Sequence, residues 1–192
     1  MYRAVALKTK HAGIDAGDVD AVSMIARTAR IAFAPGDDGD GEQRVLLDGS
    51  DVSAAIRTPE IASLASVVSA IAGVRSALVA QQQAMGTQGG VVMEGRDIGT
   101  VVFPHAELKI FLTASAHERA TRRHADIAAR GGDTTIDAVR TDQDARDERD
   151  ATRAVSPLTI ALDAVEIVSD NKTPDAIVAE IIACLDAARG AL

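Results

Sequence analysis

With 192 residues, 47% of them hydrophobic, the chain is long enough for one domain, or one domain with a small inserted lobe, around a packed core. Its net charge of −8 argues against broad nucleic-acid or membrane binding, and aromatics at 2%, with no Trp, leave no stacking platform for single-stranded nucleic acid. No apolar run approaches a membrane span and the start has no charged-then-hydrophobic leader pattern, so a soluble cytoplasmic protein is expected.

The pattern at residues 1–12 predicts the end of a helix, closed by Gly13, and Asp18 to Thr28 predicts a second, with Val19, Val22, Ile25 and Ala26 at helical spacing. The period then changes. RIAFA (30–34) and RVLLDG (44–49) read as short strands, joined through the acidic, Gly-rich 35–43 as a solvated hairpin loop without calcium-loop spacing. Residues 51–85 are helical in pattern, with breaks expected at Pro59 and Gly73. VVM (91–93) and LKIFLTAS (108–115) are predicted buried strands. Ser115 to Glu118 has the form of a capping box, opening a helix that Gly131 and Gly132 stop after Arg130. A further helix is expected from about Thr135 to Arg153, cut by Pro157. VEIVSD (165–170) is a third buried strand candidate, and Thr173-Pro174 caps a last helix that Gly190 closes. The lone Cys184 falls in that helix's apolar pattern and is expected to be a buried, inert thiol; it excludes an internal disulfide. Strands alternating with long helices imply a parallel sheet with helices on its faces, and ligands bind such sheets at the carboxyl ends of the strands.

The charged trio Gly95-Arg96-Asp97 sits at one such end, where charge is costly unless a ligand or partner answers it. In QDARDERDATRAVSPL (143–158), Arg146, Asp150 and Arg153 fall on one helical stripe, with Arg149 close to it. A charged stripe is commonly only a salt-bridged solvent face. Here it runs straight into the apolar AVSPL, so its last turns should lie against the fold. Arginine's planar fork suits phosphate, and aspartate accepts from a sugar hydroxyl or a base amino group, so the combination points to a nucleoside monophosphate. Arg119, Arg122 and Arg123 form a third basic cluster. Arg119 and Arg123 share a face, as the arginines of a mobile lid closing on transferred phosphates would. The four histidines lack metal-ligand spacing, so no metal site is predicted.

YRAVALK, DGSDVSAAIRTPEIASLASVVSAIAGVR, MEGRDIGTVVFPHAELKIFLTAS, ERATRR and RDERDATRAVSPL together resemble bacterial cytidylate kinase, in register from Tyr2 to about Leu185. The resemblance implies an α/β fold of the P-loop nucleoside monophosphate kinase type. The core would comprise 1–28 and 61–192, with a lid at about 116–150 and a small inserted antiparallel monophosphate-binding lobe at 29–60. It implies a monomer that transfers the ATP γ-phosphate to CMP or dCMP with Mg2+ and has no nucleic-acid or membrane partner. It further implies that Arg3, Arg96, Arg146 and Arg153 contact the CMP phosphate. Ser66 and Arg75 would lie near cytosine and ribose, Asp97 would meet the cytosine amino group, and Asp150 the ribose hydroxyls. Arg119 and Arg123 become lid arginines that stabilise the transferred phosphate.

One family feature is missing. No G-x-x-x-x-G-K-[ST] run occurs in the chain, so the amide cradle, its lysine and its magnesium-binding hydroxyl are not supplied, and the first two strands of the family sheet are expected to be missing. A start at an internal methionine is the favoured explanation, ahead of a fragment or a second chain supplying the strands. The chain alone is expected to be inactive. The alternatives are a non-catalytic nucleotide- or anion-binding fragment and a kinase for another nucleoside monophosphate.

Overall fold

The computed structural model describes residues 1–36, 43–129, 131–152 and 155–190. The middle of the acidic loop (37–42), the expected helix end at Arg130 and the site candidate Arg153 lie outside the described residues. The chain divides into two compact units, Met1–Val91 and Val92–Leu192.

The first unit opens with α1 (Tyr2–His11) and α2 (Val19–Thr28). Gly13, at φ 66°, ends α1 as only a residue without a Cβ does cheaply. Its N–H donates to the Lys10 carbonyl and the Ile14 N–H to the Thr9 carbonyl, the paired bonds of a Schellman cap. Asp18 caps α2 by accepting from the Ala21 N–H. A three-stranded antiparallel sheet follows, made of β1 (Ile31–Ala34), β2 (Arg44–Leu47) and β3 (Ser50–Asp51), in that spatial order. The third strand corrects the expectation of a simple hairpin. Asp48 and Gly49 both have positive φ, and Leu47 pairs with Ser50, so Asp-Gly makes a two-residue turn of the type that matches strand twist. The Lys8 ammonium, 2.7 Å from the Asp48 carboxylate, and the Arg30 N–H, at 2.9 Å, hold that carboxyl below the usual carboxylate range.

A single 3-10 turn (Ala55–Arg57), α3 (Pro59–Val68) and α4 (Ala72–Met85) complete the unit. The break expected at Pro59 is present, between the 3-10 turn and α3, whereas the one expected at Gly73 lies earlier in the chain. Pro59 starts α3, in the first-turn position where its missing N–H is not needed, with Thr58 as cap. The chain turns instead at Ser69–Ile71, and α3 and α4 differ in direction by 101°. Gly73 lies inside α4, where a Cβ would overlap the Ser23 hydroxyl and stand 2.7 Å from the Ser23 Cβ. It is there to let α4 approach α2. Ala4, Val5, Val22, Ala26, Val74 and Leu78, all fully buried or nearly so, meet in the aliphatic core that this approach closes.

The second unit holds one parallel pair, β4 (Ile110–Thr113) beside β5 (Val165–Val168), with α5 (Ala116–Ala129), α6 (Ile136–Thr152) and α7 (Pro174–Gly190). It is therefore an α/β arrangement with a small parallel sheet. Residues 91–93, expected to be a buried strand, are neither: Val91 and Val92 are exposed, and no described strand lies alongside to supply ladder partners. Of β5, predicted to be buried, only Ile167 is; a two-stranded sheet is too narrow to cover its strand ends. Cys184 is half-buried rather than buried, because α7 contributes no fully buried residue. The predicted capping box is half made. The Ser115 hydroxyl accepts from the Glu118 N–H, but the Glu118 carboxylate turns to Arg122, and the Ser115 N–H donates to Asp170 instead.

Gly73→Ala is expected to destabilise the chain by about 1–3 kcal/mol, the usual cost of overpacking. Adding Ser23→Gly should return most of that loss in urea denaturation, because the clash is with that one side chain.

Candidate functional site

The segment after Val92 leaves Arg96 exposed and Asp97 buried. The Asp97 carbonyl accepts from both the Val101 and Val102 N–H groups, and the Phe103 N–H donates to Ile98, so Ile98–Val102 forms one π-turn. Such wide turns cost regularity and recur at functional sites. Here the turn fixes the backbone immediately behind the Arg96-Asp97 pair.

Arg96 reaches α6. Its Nε lies 3.2 Å from Asp150 Oδ2 and its Nη2 3.7 Å from Asp147 Oδ1. Arg146 Nε lies 4.0 Å from the same Asp150 oxygen. Arg119, on α5, donates from Nη1 to Asp147 Oδ2, and its Nε is buried with no hydrogen-bond partner among the described residues. The Gln143 side chain adds a 3.3 Å bond to the Arg119 carbonyl, so α5 and α6 are tied as a hairpin at the level of the cluster. The Leu158 N–H donates to the Asp150 carbonyl at 2.8 Å, which brings the chain back past this end of α6. Asp150 is the less exposed carboxylate, at 13% of its side chain. Among the described residues, three guanidiniums meet two carboxylates here, a locally basic cluster on a chain that is acidic overall.

The rest of the stripe and of the basic helix separates from this cluster. Arg149 folds back on its own helix, donating to the Ala145 carbonyl. Arg122 is an anchor: Nε pairs with Glu118, Nη1 donates to the Ser169 hydroxyl at 3.0 Å and Nη2 to the Ser169 carbonyl at 2.7 Å. Ser169 is itself buried and donates to the Thr113 carbonyl, so Arg122 ties the base of α5 to the carboxyl ends of both strands. Arg123 is half-buried and makes no ion pair among the described residues.

In the first unit, Arg3 on α1 is half-buried and donates to the Ile56 carbonyl at 3.2 Å. Arg75 on α4 is only 2% exposed. Its guanidinium lies over the Tyr2 ring, 5.4 Å from the centroid, and donates to the Ser69 carbonyl. A ring face answers part of the cost of burying that charge. Ser66 lies half-buried on α3.

Two residues went unread in the sequence. Asp147 bridges Arg119 and Arg96; the signal available was its place three residues before Asp150, on the same helical face. Lys109, almost fully buried at the start of β4, donates to the Pro104 carbonyl at 2.6 Å and to both Asp163 oxygens at 2.8 and 2.7 Å, and its hydrogen bond holds the Asp163 carboxyl below the usual range. Among the described residues no group of three or more His, Cys, Asp or Glu stands together as a metal cage; magnesium that accompanies ATP is carried largely by phosphates and water and needs no such cage.

The family model described as cytidylate kinase matches residues 1–187. The chain is 47% identical over 182 residues to the cytidylate kinase of Limosilactobacillus reuteri (strain DSM 20016), covering 94% of this chain and 78% of that protein. It is 49% identical over 174 residues to the cytidylate kinase of Citrifermentans bemidjiense, covering 90% and 73%. A bifunctional pantoate ligase/cytidylate kinase of Prochlorococcus marinus (strain MIT 9313) is 46% identical over 183 residues, which is 95% of this chain and 36% of that protein.

Arg122→Ala should lower stability by about 1–2 kcal/mol, the scale of charge-assisted bonds on a partly exposed side chain. Amide hydrogen exchange should place the increased opening at α5 and the end of β5, and exchange that stays unchanged there would show that the anchor is elsewhere.

Proposed function

The chain belongs to the cytidylate kinase family, a family of nucleoside monophosphate kinases, and from that premise we propose that its second unit receives the phosphate of CMP or dCMP at the cluster of Arg96, Arg119 and Arg146. The observation that carries this reading is the meeting of three guanidiniums, from three separate segments, on one pair of carboxylates. Arginines already gathered spare the ligand the cost of collecting them, and phosphoryl transfer is mostly such positioning and electrostatics.

Arg96 and Arg146 grip the phosphate oxygens with guanidinium N–H groups that the carboxylates leave open. Asp150 accepts from the ribose hydroxyls, as a carboxylate beside the phosphate arginines can. Asp97 accepts from the cytosine amino group, where uracil would present a carbonyl and be rejected. The family resemblance further assigns Arg3 to phosphate, and Ser66 and Arg75 to base and ribose. Arg153 joins the phosphate arginines. Residues 29–60 act as the monophosphate-binding lobe and about 116–150 as the lid, with Arg119 and Arg123 as its phosphate-stabilising arginines. The family implies ATP as donor. The chain contains no G-x-x-x-x-G-K-[ST] run to cradle it, so these 192 residues taken alone turn over negligibly.

Arg146→Ala should raise the Kd for CMP by about tenfold to a hundredfold, one charged contact's worth, in isothermal titration. Asp97→Asn should narrow the preference for CMP over UMP, because an amide can donate to the uracil carbonyl; unaltered discrimination refutes the assignment of Asp97. CMP-dependent ATP consumption by the chain alone would contradict its inactivity.

A further inference from the structure

Asp147 spans two cations that would otherwise repel. One oxygen accepts from Arg119, 28 residues away on the partner helix of the hairpin, and the other faces Arg96 at 3.7 Å. No other described carboxylate touches both. Arg96 is held a second time by Asp150, but Arg119 has Asp147 as its only described ion-pair partner. Its Nε is buried and unanswered among the described residues, so Asp147 is what holds this guanidinium in place.

We propose that Asp147 is a positioning residue for phosphate binding: by bridging Arg119 to Arg96 it sets the two guanidiniums around one place that a nucleotide phosphate can enter. This rests on the CMP-binding reading above and adds to it a residue that does not itself touch the nucleotide. The bridge needs both oxygens and a full charge. An asparagine could accept from Arg119, but it would then turn an NH2 toward the guanidinium of Arg96, donor against donor, and one arm would open. A glutamate keeps both acceptors and the charge, one methylene further out.

Titrations of CMP and of cytidine into the full chain and its Asp147→Asn and Asp147→Glu variants test this, with thermal unfolding run on each. Asp147→Asn is expected to weaken CMP about tenfold, the scale of one charge-assisted arm, while leaving cytidine nearly unchanged; Asp147→Glu should recover part of the loss. A loss of fold would weaken both ligands alike, so the ratio of the two affinities separates orientation from stability. If Asp147→Asn does not fold, the Glu variant still decides, by a weakening confined to CMP. Equal weakening of both ligands, or no weakening of either, overturns the proposal. So does tighter CMP binding, the mark of a carboxylate that competes with the phosphate. If the unaltered chain binds cytidine but gains nothing from the phosphate, or binds neither ligand, the CMP-site reading fails first and this inference with it.

Discussion

Two carboxylates three residues apart on α6, Asp147 and Asp150, hold together guanidiniums that the chain delivers from residue 96, residue 119 and their own helix. Nothing apolar could do this for α6, whose only fully buried residue is Val139. Exposed ion pairs are individually weak, so their worth here is geometric: they set where charged groups stand and only secondarily add stability. Arg122 completes the device by fixing the base of α5 to the strand ends through Ser169, which leaves Arg119, one turn earlier on the same helix, a defined reach toward α6.

The two units are stabilised differently. The first has the aliphatic core, with α1, α2, α3 and α4 closing over Val5, Val22, Val68, Val74 and Leu78. The second has few buried apolar residues, among them Val102, Ala120, Val139 and Ile167, and leaves Leu112, Val165, Val168, Val178 and Ile182 largely exposed. Polar bonds therefore define more of its geometry: Lys109 clamped to Asp163, Arg122 to Ser169, and the arginine cluster to α6.

Much of this was legible from residue pattern alone. Helices with strong caps, such as α2 after Asp18 and α7 after Thr173, lie where capping residues and period placed them, because a cap is a local interaction. The strand at 91–93 was misread because an apolar run specifies a tendency while a strand needs a neighbour. The turn within 69–71 was missed because the Gly73 signal was taken as a helix break, when its cause lies 50 residues earlier at Ser23. The Asp48-Gly49 hairpin was readable and overlooked. Within the site, the i, i+4 relation of Arg146 and Asp150 could be read along one helix. Asp147's partners could not, since they lie on other segments, and the fates of Arg119, Arg122 and Arg123 diverge although their sequence is one basic run.

The chain thus gathers three arginines on two carboxylates, in a sequence without a phosphate-loop motif. On the proposed reading, this cluster is a place for a phosphate that exists before the phosphate arrives. A crystal structure of the chain soaked with CMP measures this most directly. The account predicts the phosphorus atom seated among the guanidiniums of Arg96, Arg119 and Arg146, with Asp147 and Asp150 still paired to them. A phosphate bound away from that cluster, or bound only after the cluster has come apart, would contradict it.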